Sequence, residues 1–124
     1  MILSDAEIEA ELKLRNPHGH PKFISMTLAE MKLHSAKNYD YAKGGDPLGN
    51  FRRVAAILAL YPGLPLDDPA IIAMVYALKQ LDAYLWMKCQ HYEGGVEGID
   101  SRLGDVHVYG KLARILDQER ENVA

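Results

Sequence analysis

Residues 68–92 read DPAIIAMVYALKQLDAYLWMKCQHY, and this stretch decides the fold. Asp68 followed by Pro69 is a helix start: the carboxylate accepts a first-turn amide, and proline at the first helical position lacks only an N–H that would go unpaired. Beyond it Ile71, Met74, Val75, Leu78, Leu81, Leu85 and Cys89 recur at steps of three and four. That is the period of one helix face, not of a strand. The stripe is broad enough for a bundle helix running to about Tyr92, with this face turned to the core. Lys79 and Asp82 break the apolar run well short of a membrane span.

The same punctuation extends outward. Asp46-Pro47 repeats the start signal and opens a helix carrying Phe51, Val54, Ala55, Leu58 and Leu60, which Tyr61-Pro62-Gly63 ends. Thr27 and Glu30 have capping-box spacing and open a helix to about Tyr41, stopped by Lys43-Gly44-Gly45. Ser4 and Glu7 repeat the box before a first helix over about 5–14, and a Pro- and Gly-containing loop covers 16–25. After Glu93-Gly94-Gly95 a last helix spans roughly 99–121. No window shows sustained strand-like alternation. These signals predict an all-α fold: a compact bundle of about five helices, the two longest being roughly 69–92 and 99–121. They fall in a single helical domain over 1–124, with the bundle core at 27–121.

The chain has 124 residues, 48% hydrophobic and 25% charged, with a net charge of −3. That length suffices for one core without staples, and the acidic balance argues against a nucleic-acid surface. A lone cysteine, Cys89, excludes an intramolecular disulfide and a cysteine-rich zinc site. With no signal peptide at the acidic N-terminus, the expectation is a cytoplasmic protein with no membrane partner.

Asp82 is the anomaly of the long helix, a carboxylate inside an apolar stripe. Unpaired burial would cost several kcal/mol, so it needs a partner. Lys79, one turn back, offers a structural ion pair. Alternatively Asp82 binds a cation together with Asp100 or Asp105 from the last helix, since Mg²⁺ takes oxygen ligands that facing bundle helices can supply. On the plainer reading Asp100 or Ser101 caps that helix and Asp105 pairs with Arg102.

The motifs Lys37-x-x-Asp40-Tyr41, Asn50-Phe51, Lys79 within ALKQLD, and Asp100-Ser101 with Asp105, Tyr109 and Gly110 together resemble a group of small phage and prophage helical domains. That group is linked to the nucleotide-modification-associated domains and, more remotely, to the MazG-like all-α nucleoside triphosphate pyrophosphohydrolases. The similarity covers about 36–113. It implies a phage-type protein in the host cytoplasm with a nucleotide-related role. As an enzyme it would be a metal-dependent nucleotide phosphohydrolase, with Asp82 and Asp105 catalytic and Asp82, Asp100 and Asp105 holding Mg²⁺. Lys37, Asp40, Tyr41, Lys79 and Arg52 would hold a nucleotide or other small phosphorylated ligand. The magnesium motif of those enzymes is incomplete here: Lys79 replaces a glutamate, and the second helix offers only Glu30 and Asp40. This favours the alternative of a non-enzymatic protein that binds a host protein, modulates host defence or sequesters a nucleotide; a further alternative is an oligomeric structural or assembly subunit, at which only the Trp86-Met87 end and the oligomerising habit of the resembled family hint.

Other features carry blander expectations. Gly44-Gly45 precedes a helix, but Asp46 would satisfy the free amides itself, leaving a capped corner and not a phosphate loop. Tyr39, Tyr41 and Phe51 are candidates to stack on a base, with Phe51 the one expected to anchor two helices. His18-x-His20, with His34, His91 or His107, is a weaker metal candidate. Cys89 is expected in the core, and Trp86-Met87 in the core or on a homo-oligomer surface.

Overall fold

The computed structural model describes residues 1–43 and 45–123. It is all-helical: α1 (Asp5–Arg15), α2 (Pro21–Tyr41), α3 (Gly49–Leu58), α4 (Pro69–Gln90) and α5 (Ile99–Val123), with no strand among the described residues. Contacts divide the chain within α2 into two compact units, Met1–Ala36 and Lys37–Ala124.

The start signals that act through side chains behave as expected at two sites. Ser4 accepts from the Glu7 amide at 3.1 Å and Glu7 accepts from the Ser4 amide at 3.3 Å, closing the capping box of α1. Asp68 accepts from the Ala70 amide at 3.0 Å and caps α4. Two other starts move. α2 begins at Pro21, so Thr27 lies inside it and its hydroxyl donates to the Phe23 carbonyl at 2.8 Å, a bond that removes it from capping. α3 begins at Gly49, because the Asp46 carboxylate turns onto the Leu48 amide at 2.9 Å and makes a local turn ahead of the helix.

In the N-terminal unit, the loop at residues 16–20 connects α1 to α2, and the Lys32–Asp5 ion pair joins the two helices. Ile24 is its buried apolar residue.

In the C-terminal unit, α4 is central and packs on both α3 and α5. α5 runs antiparallel to it, since Gln80 meets Arg102, Tyr76 meets Tyr109 edge-on, and Asp68 meets Arg120. The face of α4 that is buried is Ala70, Ala77, Gln80 and Met87, not the bulky stripe one residue further on. Small side chains let α5 approach closely, and Ala113 answers them from α5. The expected core positions Met74 and Leu85 stay 43% and 54% exposed, and Cys89 is exposed too. Phe51 is 70% exposed and anchors nothing. Met87, by contrast, has no accessible surface, and the Trp86 indole N–H donates to the Ala42 carbonyl at 3.0 Å. Of the two residues expected in the core or on an oligomer surface, Met87 is in the core and Trp86 is half-buried.

Candidate functional site

Two polar centres lie along α4, and they differ in kind. The first is Asp82. Its carboxylate receives Arg53 Nε at 2.6 Å and Nη2 at 2.8 Å, a two-point pair, and Asn50 Nδ2 at 2.8 Å. Arg53 also lies over the Trp86 ring, 4.4 Å from its centroid. The hydrogen bonds to Asp82 raise the Arg53 guanidinium above its ordinary pKa against the opposing effect of burial. Asp82 thus clamps α3 to α4. Its partner is Arg53, not Lys79, because the helix turns Lys79 away toward α2.

This disposes the acids differently from the cation arrangement expected of Asp82, Asp100 and Asp105. Asp100 is exposed and Asp105 half-buried. Among the described residues no three His, Cys, Asp or Glu side chains are grouped to hold a metal ion. The residues therefore do not fit the Mg²⁺ that the family resemblance implies: the one buried acid of the set is neutralised by a guanidinium. The histidines of the loop at 18–20 form no such group either.

The second centre is built by the end of α2, the middle of α4 and the start of α5. The loop between α4 and α5 leaves the helix through His91, whose φ of 57° is left-handed. It then turns through Gly94, where a Cβ would meet the Glu97 carbonyl oxygen at 1.9 Å, so only glycine fits. The turn aims three successive amides at one carboxylate. Asp40 accepts from the Gly95, Val96 and Glu97 N–H groups, the last at 2.8 Å, and is wholly buried. Tyr92 donates its hydroxyl to the Asp40 carbonyl. Burial first, and the Asp40 charge second, push the Tyr92 phenol above its ordinary pKa. The side chain of Glu93 caps α5 by accepting from the Ile99 amide at 2.8 Å, so neither Asp100 nor Ser101 is the cap.

Arg102 enters the same centre from α5 and is 1% exposed. Its Nη1 donates to Gln80 Oε1 at 2.7 Å and Tyr41 Oη at 2.9 Å, and lies 2.8 Å from Glu97 Oε2. Nη2 stands 3.6 Å from Asp40 Oδ2. These acids displace Asp105 as its expected partner, because Glu97 closes over it from the loop and Asp40 reaches it from α2. The guanidinium also stacks on the Tyr41 ring at 4.5 Å, and Lys79 Nζ lies 5.4 Å from the same ring. The Arg102 Nε is buried with no hydrogen-bond partner among the described residues, an orphan donor of a kind native structures seldom keep.

A largely polar cavity of about 190 Å³ opens here, lined by Lys37, Asp40, Tyr41, Lys79, Gln80, Val96, Glu97 and Arg102. Four residues assigned to ligand binding from the sequence, Lys37, Asp40, Tyr41 and Lys79, come together in it. Arg52 does not join them, being paired with exposed Asp46. Lys37 and Lys79 are exposed and make no ion pair among the described residues. Three cations thus face two acids, and the acids are spent on Arg102 and the loop amides. Arg102 itself was missed as a site residue. Its signal was available: an arginine one turn into α5, on the face that a close-packed antiparallel helix must bury.

The structure also holds no helix long and apolar enough to cross a membrane among the described residues. Compared with family models, with curated proteins and with solved structures, the chain matches none.

Proposed function

We propose that the C-terminal unit binds a small phosphorylated ligand, a nucleotide or similar compound, through one phosphoryl group held by Lys37, Lys79 and Arg102. The observation that carries this reading is the pairing of two uncommitted lysines with a buried arginine whose Nε lacks a partner, around a polar cavity of about 190 Å³. That volume is below the 300–1,000 Å³ typical of sites enclosing whole drug-sized ligands. It suits a phosphoryl head group whose remainder lies outside the cavity. Charge-assisted bonds from lysine and arginine to phosphate are the strong class.

The reading keeps the nucleotide side of the phage-domain resemblance and favours binding over hydrolysis, because Asp82 is tied to Arg53. The test is a thermal-shift and calorimetric panel of nucleoside mono-, di- and triphosphates and inorganic pyrophosphate, run with and without Mg²⁺. Stabilisation without Mg²⁺, weakened about tenfold or more in Lys79→Ala and in Lys37→Ala, is expected. No stabilisation by any of these at millimolar concentration refutes it. Mg²⁺-dependent pyrophosphate release that vanishes in Asp105→Asn would replace it with the hydrolase reading.

A further inference from the structure

Nη1 of Arg102 faces one more acceptor than it can bond. Its two N–H groups are taken by Gln80 Oε1 at 2.7 Å and Tyr41 Oη at 2.9 Å. Glu97 Oε2 nonetheless stands 2.8 Å from the same nitrogen, so the carboxylate is held there by charge and not along an N–H. Nε of the same guanidinium has no partner among the described residues.

The two acids beside Arg102 are anchored differently. Asp40 is wholly buried and fixed by the loop amides, Val96 N–H at 2.9 Å and Glu97 N–H at 2.8 Å among them. The Glu97 side chain is 40% exposed. What is pinned at position 97 is the main chain, through its amide on Asp40. Rotation of the side chain alone therefore carries the carboxylate out to water while the loop stays in place. Glu97 also lines the polar cavity beside Lys37 and Lys79.

We infer that Glu97 is a built-in competitor for the anion position on Arg102, a carboxylate that neutralises the buried guanidinium and yields its place to an entering phosphoryl group. This rests on the phosphoryl-binding reading above and adds which phosphoryl group the site accepts. A buried cation keeps a counter-charge in either state, so a ligand gains only what it offers beyond the pairing it displaces. A phosphodiester brings one negative charge, no more than the carboxylate. A phosphomonoester brings about −1.5 to −2 near neutral pH, and the surplus falls to Lys37 and Lys79. The class selected is a terminal phosphoryl group, as on a phosphate monoester or at the end of a nucleotide's phosphate chain. The diester links of a nucleic-acid backbone are turned away.

Methyl phosphate and dimethyl phosphate present the two head groups with little else attached. Each is titrated into the full chain near neutral pH and followed by nuclear magnetic resonance of the backbone amides and of the Glu97 carboxyl carbon. The wild-type chain is expected to bind methyl phosphate at least about tenfold more tightly than dimethyl phosphate, with the Glu97 signal moving toward that of a solvated glutamate. Glu97→Gln keeps the side chain's shape and removes its charge, and should bind methyl phosphate about tenfold more tightly than the wild type. Equal or weaker binding by Glu97→Gln, or a wild-type Glu97 signal that stays put at saturation, overturns the competitor and leaves the phosphoryl site standing. Equal binding of the two esters overturns the selection. No binding of methyl phosphate by either chain overturns the site and the competitor together. If the glutamine variant fails to fold, the Glu97 signal of the wild type decides.

Discussion

Asp82→Asn removes one negative charge at the centre of the Arg53–Asn50 clamp while keeping the side chain's shape. The wild-type carboxylate is 8% exposed and takes three hydrogen bonds, two of them from a guanidinium that is 34% exposed. Breaking a fully buried ion pair costs about 3–5 kcal/mol. Arg53 is near the limit where solvent screening applies, and it keeps its Trp86 face, so the loss is discounted to about 2–3 kcal/mol. The asparagine can still accept once, but its amide hydrogens face Arg53 or Asn50. With a urea dependence of about 1–3 kcal/mol per molar, the unfolding midpoint should fall by about 1–2 M with little change in slope. A double variant Arg53→Met/Asp82→Leu should recover most of it, because an apolar pair of similar volume needs no neutralisation. An unchanged midpoint for Asp82→Asn would refute the clamp and return Asp82 to the candidate cation ligands.

Three further outcomes follow from the second centre. Asp40→Asn turns amide hydrogens toward the donors of residues 95–97 and strips Arg102 of a buried counter-charge, so equilibrium urea unfolding should show a loss of about 3–5 kcal/mol. Gly94→Ala drives a Cβ into the Glu97 carbonyl; a loss of at least about 2 kcal/mol is expected by the same measurement, and a neutral effect would mean that the turn is not the one described. The raised pKa of Tyr92 gives a pH dependence with a definite sign. The folded chain favours the neutral phenol, so this contribution is whole below pH 10 and is lost as pH climbs through the higher folded value. Thermal unfolding from pH 9 to 11 should therefore decline more steeply in the wild type than in Tyr92→Phe, and parallel curves would count against it.

How much of this was legible in the chain depends on which signal was read. Caps made by side chains, as at Ser4 and Asp68, can be found because their partners lie two or three residues away. The start of α2 was missed because Thr27 has capping spacing but spends its hydroxyl on the preceding turn. The two stripes of α4 were harder still. Hydrophobicity ranks Leu81 and Leu85 above Ala77 and Ala83, yet close helix packing selects the alanines, and nothing local to the sequence states that preference. At the candidate site the lysines, Asp40 and Tyr41 were found as a motif. The Asp82 partner was misassigned, since Lys79 is near in sequence while Arg53 arrives from another helix.

The hold of Asp40 on the α4–α5 loop has a consequence for how this protein tolerates genetic drift. Its three donors belong to the main chain, so the carboxylate is indifferent to which side chain stands at position 96. Almost any codon there should be acceptable except one for proline, the single residue that brings no amide hydrogen. Variation at 96 should therefore be broad and proline-free, while the aspartate two helices away stays fixed.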